Sequence, residues 1–133
     1  MRGEFSIVRP KEVPTEQFNT CETSVRKLTG PLGSTELRVN QVIVEPGKVT
    51  TPHTHTASDD EPGQEEVFVA MTPGQIAIEG REHDVPQGGV VRVAPDVERN
   101  LLNRTDDETH VWLAFGAPPV GTVDDFGAYE VSE

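Results

Sequence analysis

Residues 45–74 read EPGKVTTPHTHTASDDEPGQEEVFVAMTPG, and this stretch decides how the rest of the chain is read. It opens and closes on Pro-Gly turns, at 46–47 and 73–74, and between them carries two short segments of β character separated by a polar spacer. Turn chemistry bounding short strands is the pattern of an all-β sandwich or barrel, not of helices. Outward from it the rhythm continues. Candidate strands are 24–28, 36–44, 49–55, 66–71, 75–79, 90–93, 98–103 and 110–115, with Gly or Pro punctuation at 30–31, 79–80, 88–89 and 94–96. Helical periodicity is nearly absent, so the expected fold is one mostly-strand domain.

Within the stretch, His53 and His55 are separated by one residue. On a strand, positions i and i+2 point to the same face about 6.5–7 Å apart, so two imidazoles can converge on one ion. A carboxylate from the adjacent strand completes a facial set of two His and one acid. Glu66 is the choice, because its period-2 partners Phe68 and Ala70 continue an apolar face; a one-residue register shift would substitute Glu65. Such a set leaves coordination positions open and suits Fe, Mn, Ni or Zn as a divalent ion. The bland alternative is two polar residues on an exposed strand, given the threonines at 50, 51, 54 and 56.

These residues resemble the first motif of the cupin superfamily: Gly, five residues, His-x-His, a spacer, Glu, six residues, Gly. Here Gly47, His53, His55 and Glu66 take the first positions, the spacer is long, and Pro73 stands at the final glycine with Gly74 behind it. The second motif is Gly, five residues, Pro-x-Gly, two residues, His, three residues, Asn. In GGVVRVAPDVERNLLNRT, residues 88–105, the preferred register puts Gly88 first, Asp96 at the turn glycine, Arg99 at the histidine and Asn103 at the asparagine. The alternative register, from Gly89, keeps Pro95 but places Val97 at the turn. Asp tolerates a left-handed turn better than Val, which favours the first. Neither register supplies a His.

The resemblance implies a double-stranded β-helix (jelly-roll barrel) over 36–115, with segments 1–35 and 116–133 packing on it, often dimeric, and with the metal inside the barrel mouth. It does not choose among enzymatic and binding functions. Arg99 cannot ligate a cation, since its guanidinium has no lone pair to give. Pointing inward it would hold a substrate carboxylate or phosphate; pointing outward it would pair with surface acids. His110 opens the strand HVWLAF and is an alternative ligand if its face lines the cavity. Asp59, Asp60 and Glu61 lack the ligand alternation of a calcium loop and read as a solvated surface.

Composition narrows the partners. The 133 residues carry 23 Asp and Glu against 11 Lys and Arg, a formal charge of −12, which argues against nucleic acid and anionic membrane. The acids are spread along the chain, and Lys appears at positions 11, 27 and 48 alone. The pattern resembles the surface of halophilic proteins. Cys21 is the single cysteine, so neither an intrachain disulfide nor a CxxC pair can form. With no signal-peptide or membrane segment evident, the expectation is a cytoplasmic protein acting on or binding a small molecule, and the cupin resemblance together with the edge strands of an open barrel implies a homodimer.

Overall fold

A computed structural model describes residues 4–17, 23–57 and 62–118, together with the backbone of 130–131. The described residues form eleven strands: β1 (Glu16–Gln17), β2 (Ser24–Lys27), β3 (Arg38–Val44), β4 (His53–Thr54), β5 (Glu65–Ala70), β6 (Gly74–Ile78), β7 (Arg81–Val85), β8 (Val90–Val93), β9 (Arg99–Leu102), β10 (His110–Ala117) and β11 (Glu130–Val131). All pair antiparallel. They form a six-stranded sheet in the order β1-β2-β3-β10-β5-β8 and a five-stranded sheet in the order β11-β4-β9-β6-β7. The single α-helical turn among the described residues is α1 (Thr29–Leu32), where the Gly-Pro pair reads in sequence as a plain turn; it ends on Gly33 in the left-handed conformation.

Alternation along the strands sets which faces meet. β10 alternates buried and half-buried residues throughout its eight positions, with His110, Trp112 and Ala114 on the buried face. On β5, Glu66, Phe68 and Ala70 turn inward and Glu65 outward. The core joins Val42, Phe68, Ala70, Val93, Trp112 and Ala114 of the larger sheet to Ile76, Val85 and Leu101 of the smaller one. Trp112 is fully buried, edge-on to Phe68 with ring centroids 6.2 Å apart. A Cβ at Gly74 would stand 2.7 Å from the Trp112 ring, so glycine is needed beside the indole at the start of β6.

β7 was not among the expected strands. Its sequence, REHDV, leaves four of five residues exposed, so it lacks the apolar alternation that marks a half-buried strand. Hydrogen bonding to β6 at the sheet edge makes it a strand, and His83 sits in it opposite Ile76. Cys21, the acids at 59–61, and Phe126 and Tyr129 of the C-terminal tail lie outside the described residues. No helix among the described residues is long and apolar enough to cross a membrane.

Candidate metal centre

The segment before the histidines is fastened to β9 by Thr50. Its backbone N–H and its hydroxyl both donate to the Leu101 carbonyl, at 2.8 and 3.1 Å, and its hydroxyl oxygen accepts from the Leu101 N–H at 2.8 Å. His53 then stands opposite Arg99 in the β4–β9 register, and the His55 N–H donates to the Pro95 carbonyl at 2.9 Å. The expected long strand over 49–55 is thus two residues of strand plus an isolated bridge from Val49 to Leu102. Pro52 lacks the donor that a continuous ladder requires. Gln64 brings the chain back by donating its N–H to the His55 carbonyl at 2.9 Å, after which β5 begins.

His53, His55 and Glu66 are brought together, with one potential ligand atom from each lying within 4.8 Å of the others. The carboxylate does not come from the adjacent strand, as the sequence suggested. β4 belongs to the five-stranded sheet and β5 to the six-stranded one, so Glu66 reaches the histidines from the facing sheet. Glu65 points away, is exposed, and accepts from Arg92 Nε at 2.5 Å.

The two imidazoles lie edge to face with centroids 4.9 Å apart. His53 Nδ1 is 2.9 Å from the Thr51 carbonyl oxygen, which can only accept; Nδ1 therefore carries the proton and Nε2 keeps its lone pair. Burial lowers the His53 pKa to about 4, against the opposing pull of the Thr51 carbonyl, so the ring is neutral at neutral pH. His55 is buried, its Nε2 3.4 Å from Glu66 Oε1. Burial alone would raise the Glu66 pKa, but the hydrogen bond and charge of His55 and the charge of Arg99 outweigh it and hold the carboxyl below its ordinary value.

Arg99 points inward. It is 0% exposed; Nη1 donates to Glu66 Oε1 at 3.0 Å and Nη2 to the Ala94 carbonyl at 2.5 Å. Burial pulls its pKa down and Glu66 opposes that, yet a guanidinium stays protonated in proteins. The surface-pairing alternative therefore does not describe its geometry. The preferred register of the second motif agrees with Arg99 standing across from His53 and with the positive φ, 84°, of Gly88. The reason given for that register does not hold. Asp96 is not left-handed: Glu79 is the non-glycine residue with positive φ among the described residues. Instead Val97 N–H closes a turn onto the Ala94 carbonyl at 3.2 Å, with Pro95 and Asp96 at its corners.

Asn103, at the motif's asparagine, is a fastener. Its Nδ2 donates to the Val44 and Glu108 carbonyls at 2.9 and 2.7 Å, and its Oδ1 accepts from the Thr105 N–H and hydroxyl. His110 is buried on the inward face of β10 but pairs with Val44, four residues along from the Ala114 that lines the cavity. That separation is about 13 Å along a strand, and His110 joins neither the cavity lining nor the ligand cluster.

The cluster opens into a small pocket that is partly open to solvent. Val25, Val42, Phe68, Leu101 and Ala114 give it an apolar wall, and His53, His55, Glu66 and Arg99 its polar and potential ligand groups. The donor set fits a divalent transition ion on two observations. A ligating His normally donates its other ring nitrogen to a carbonyl or carboxylate, as His53 does to Thr51. Bonds of about 2.0–2.2 Å at tetrahedral or octahedral angles space ligand atoms about 3–3.5 Å apart, which the His55–Glu66 pair already meets.

Known proteins of this shape agree on the architecture. A cupin protein from Bacteroides fragilis superposes with a TM-score of 0.67 at 18% identity, covering 93% of this chain and 96% of that one. The fold is the cupin double-stranded β-helix. The polyketide cyclase RemF from Streptomyces resistomycificus gives 0.71 at 19% identity, over 86% of this chain and 80% of that one. A protein with a double-stranded β-helix domain from Klebsiella pneumoniae gives 0.66 at 15% identity, over 96% of each chain. At these identities the likeness speaks for the cupin fold alone. No protein-family model and no curated protein matches the sequence.

Proposed function

We propose that this cupin-fold chain holds one divalent transition ion, Fe, Mn, Ni or Zn, through His53, His55 and Glu66, and uses it on a small molecule bound in the barrel mouth. The observation that carries the reading is the convergence of three potential ligand atoms within 4.8 Å at a pocket partly open to solvent. When bound, the ion supplies Lewis-acid or oxygen-activating chemistry at its open positions. The chain's own residues do the rest. Thr51 fixes the His53 tautomer, Arg99 holds Glu66 ionised and in place, and the apolar wall of Val25, Val42, Phe68 and Leu101 receives the carbon body of a ligand while displacing water.

A second reading is a non-catalytic small-ligand binder that has lost metal. It is favoured by one specific observation: a guanidinium stands where the resemblance puts a fourth ligand, and it is already paired with the acid. Elemental analysis of protein purified without chelator, beside a His53→Ala/His55→Ala double variant, separates the two. Stoichiometric metal that vanishes in the variant supports the first; a metal-free protein with its cavity intact supports the second. We read the setting as cytoplasmic, with the dispersed acids a halophilic, salt-adapted surface and the open sheet edges covered in a homodimer. Sedimentation showing only monomer in molar salt would remove the dimer.

A further inference from the structure

Charge at the cluster does not balance for a bound cation. Glu66 contributes one negative charge, and the Arg99 guanidinium, wholly buried and 3.0 Å from Glu66 Oε1, cancels it. His53 is neutral when it presents Nε2, since its Nδ1 proton is committed to the Thr51 carbonyl. A divalent ion placed on these donors adds two charges that no group of the cluster offsets, beside an apolar wall of Val25, Val42, Phe68, Leu101 and Ala114. Uncompensated charge in such surroundings is expensive, and three protein donors leave coordination positions that only a further ligand can fill. Arg99 Nη1 and Nη2 each make one hydrogen bond, to Glu66 and to the Ala94 carbonyl, and it is the charge of the guanidinium that a bound ion meets first.

We infer that Arg99 couples the two ligands of this site, so that a divalent ion is held firmly only together with an anionic small molecule that chelates it through two oxygens. The inference rests on the metal-site reading above and assigns the substrate class: an oxygen-chelating carboxylate or enolate with an apolar body. Arg99 is a specificity-determining residue in this scheme. By linkage, the anion tightens the metal as much as the metal tightens the anion, and coupling factors between sites commonly run from about 5-fold to 150-fold.

The test titrates Mn(II) into the full chain alone, with oxalate as the chelating anion, and with acetate as the non-chelating one, counting the Mn(II)–oxalate complex that forms free in solution. Wild type is expected to bind Mn(II) tenfold or more tightly with oxalate and without change in acetate. Arg99→Gln keeps a donor for Glu66 but removes the charge; it is expected to bind Mn(II) alone at least tenfold more tightly and to lose most of the oxalate effect. Arg99→Lys, which keeps the charge, should retain the coupling. Equal wild-type affinity in all three solutions overturns the inference whether or not the variants fold, as does a folded Arg99→Gln that behaves like wild type. If wild type binds no more Mn(II) than the His53→Ala/His55→Ala variant under any condition, the metal-site reading falls and this inference with it. If Mn(II) binds tightly and independently of oxalate, the metal site stands and only the coupling is lost.

Discussion

Glu66 and Arg99 form an ion pair that crosses between the two sheets: the carboxylate rises from β5, the guanidinium from β9, and they meet at 3.0 Å in the interior. Both are largely buried, so the charge of each is compensated chiefly by the other. The same contact presents the carboxylate to the histidines and cancels its charge.

Breaking that pair from the acidic side should therefore be costly. Glu66→Gln leaves a buried guanidinium without its counter-charge, and removing one partner of a buried pair costs about 3–5 kcal/mol. Urea denaturation should show a lower midpoint at unchanged slope. A midpoint equal to wild type would mean that Arg99 is compensated elsewhere.

Acid should destabilise the protein through His53. Its folded pKa, about 4, lies below the ordinary value of 6.5, so between these pH values the unfolded chain binds the proton more readily than the folded one. Stability is then fully present above about pH 6.5 and falls as pH drops toward 4. The lowered pKa of Glu66 acts in the same direction, its contribution being lost as pH falls through the folded value. Chemical denaturation of wild type and His53→Gln across pH 4–8 should give a shallower decline in the variant. Parallel curves would show that His53 is not buried as described.

Gly74 tests the packing of the core. A methyl group there meets the Trp112 ring at 2.7 Å, and neither β6 nor a fully buried indole can yield easily. Gly74→Ala should cost about 1–3 kcal/mol and perturb the near-ultraviolet circular dichroism of the tryptophan. An unchanged spectrum and melting temperature would contradict this contact.

Asn103 ties the loop between β9 and β10 to β3 and to its own far end. Asn103→Ala strands the buried Val44 carbonyl and removes the Thr105 contacts, an expected loss of about 1–3 kcal/mol. Asn103→Asp should be at least as damaging, since a carboxylate cannot donate to those carbonyls. If Asp were tolerated, the Nδ2 bonds to the Val44 and Glu108 carbonyls would not hold this loop.

The net charge of −12 makes salt a further handle on stability. Self-repulsion among dispersed carboxylates is relieved as ionic strength rises, so the melting temperature should climb from low to molar KCl. Equal stability in both would remove the salt-adaptation reading.

Much of this molecule is local in origin, and the sequence alone determined that part. Turn residues bounding short runs with period-2 alternation specify strands and their inward faces, which is why Glu66, Phe68 and Ala70 were legible as one face and seven of the eight expected strands fell close to their observed places, the one over 49–55 being cut to His53–Thr54. Spacing also singled out His53 and His55, because i and i+2 are neighbours whatever the rest of the chain does. What sequence could not state is which strands face each other. β7 is a strand only because β6 gives its backbone a partner, and Glu66 reaches the histidines from the opposite sheet, not from a neighbouring strand. From its neighbours Arg99 reads more readily as outward, paired with surface acids; its inward direction follows from the pairing of β9 with β4 and β6, and its buried counter-charge comes from a residue 33 positions away. Long-range pairing between sheets leaves no local pattern, so only the tertiary structure decided where the charge of the site would lie.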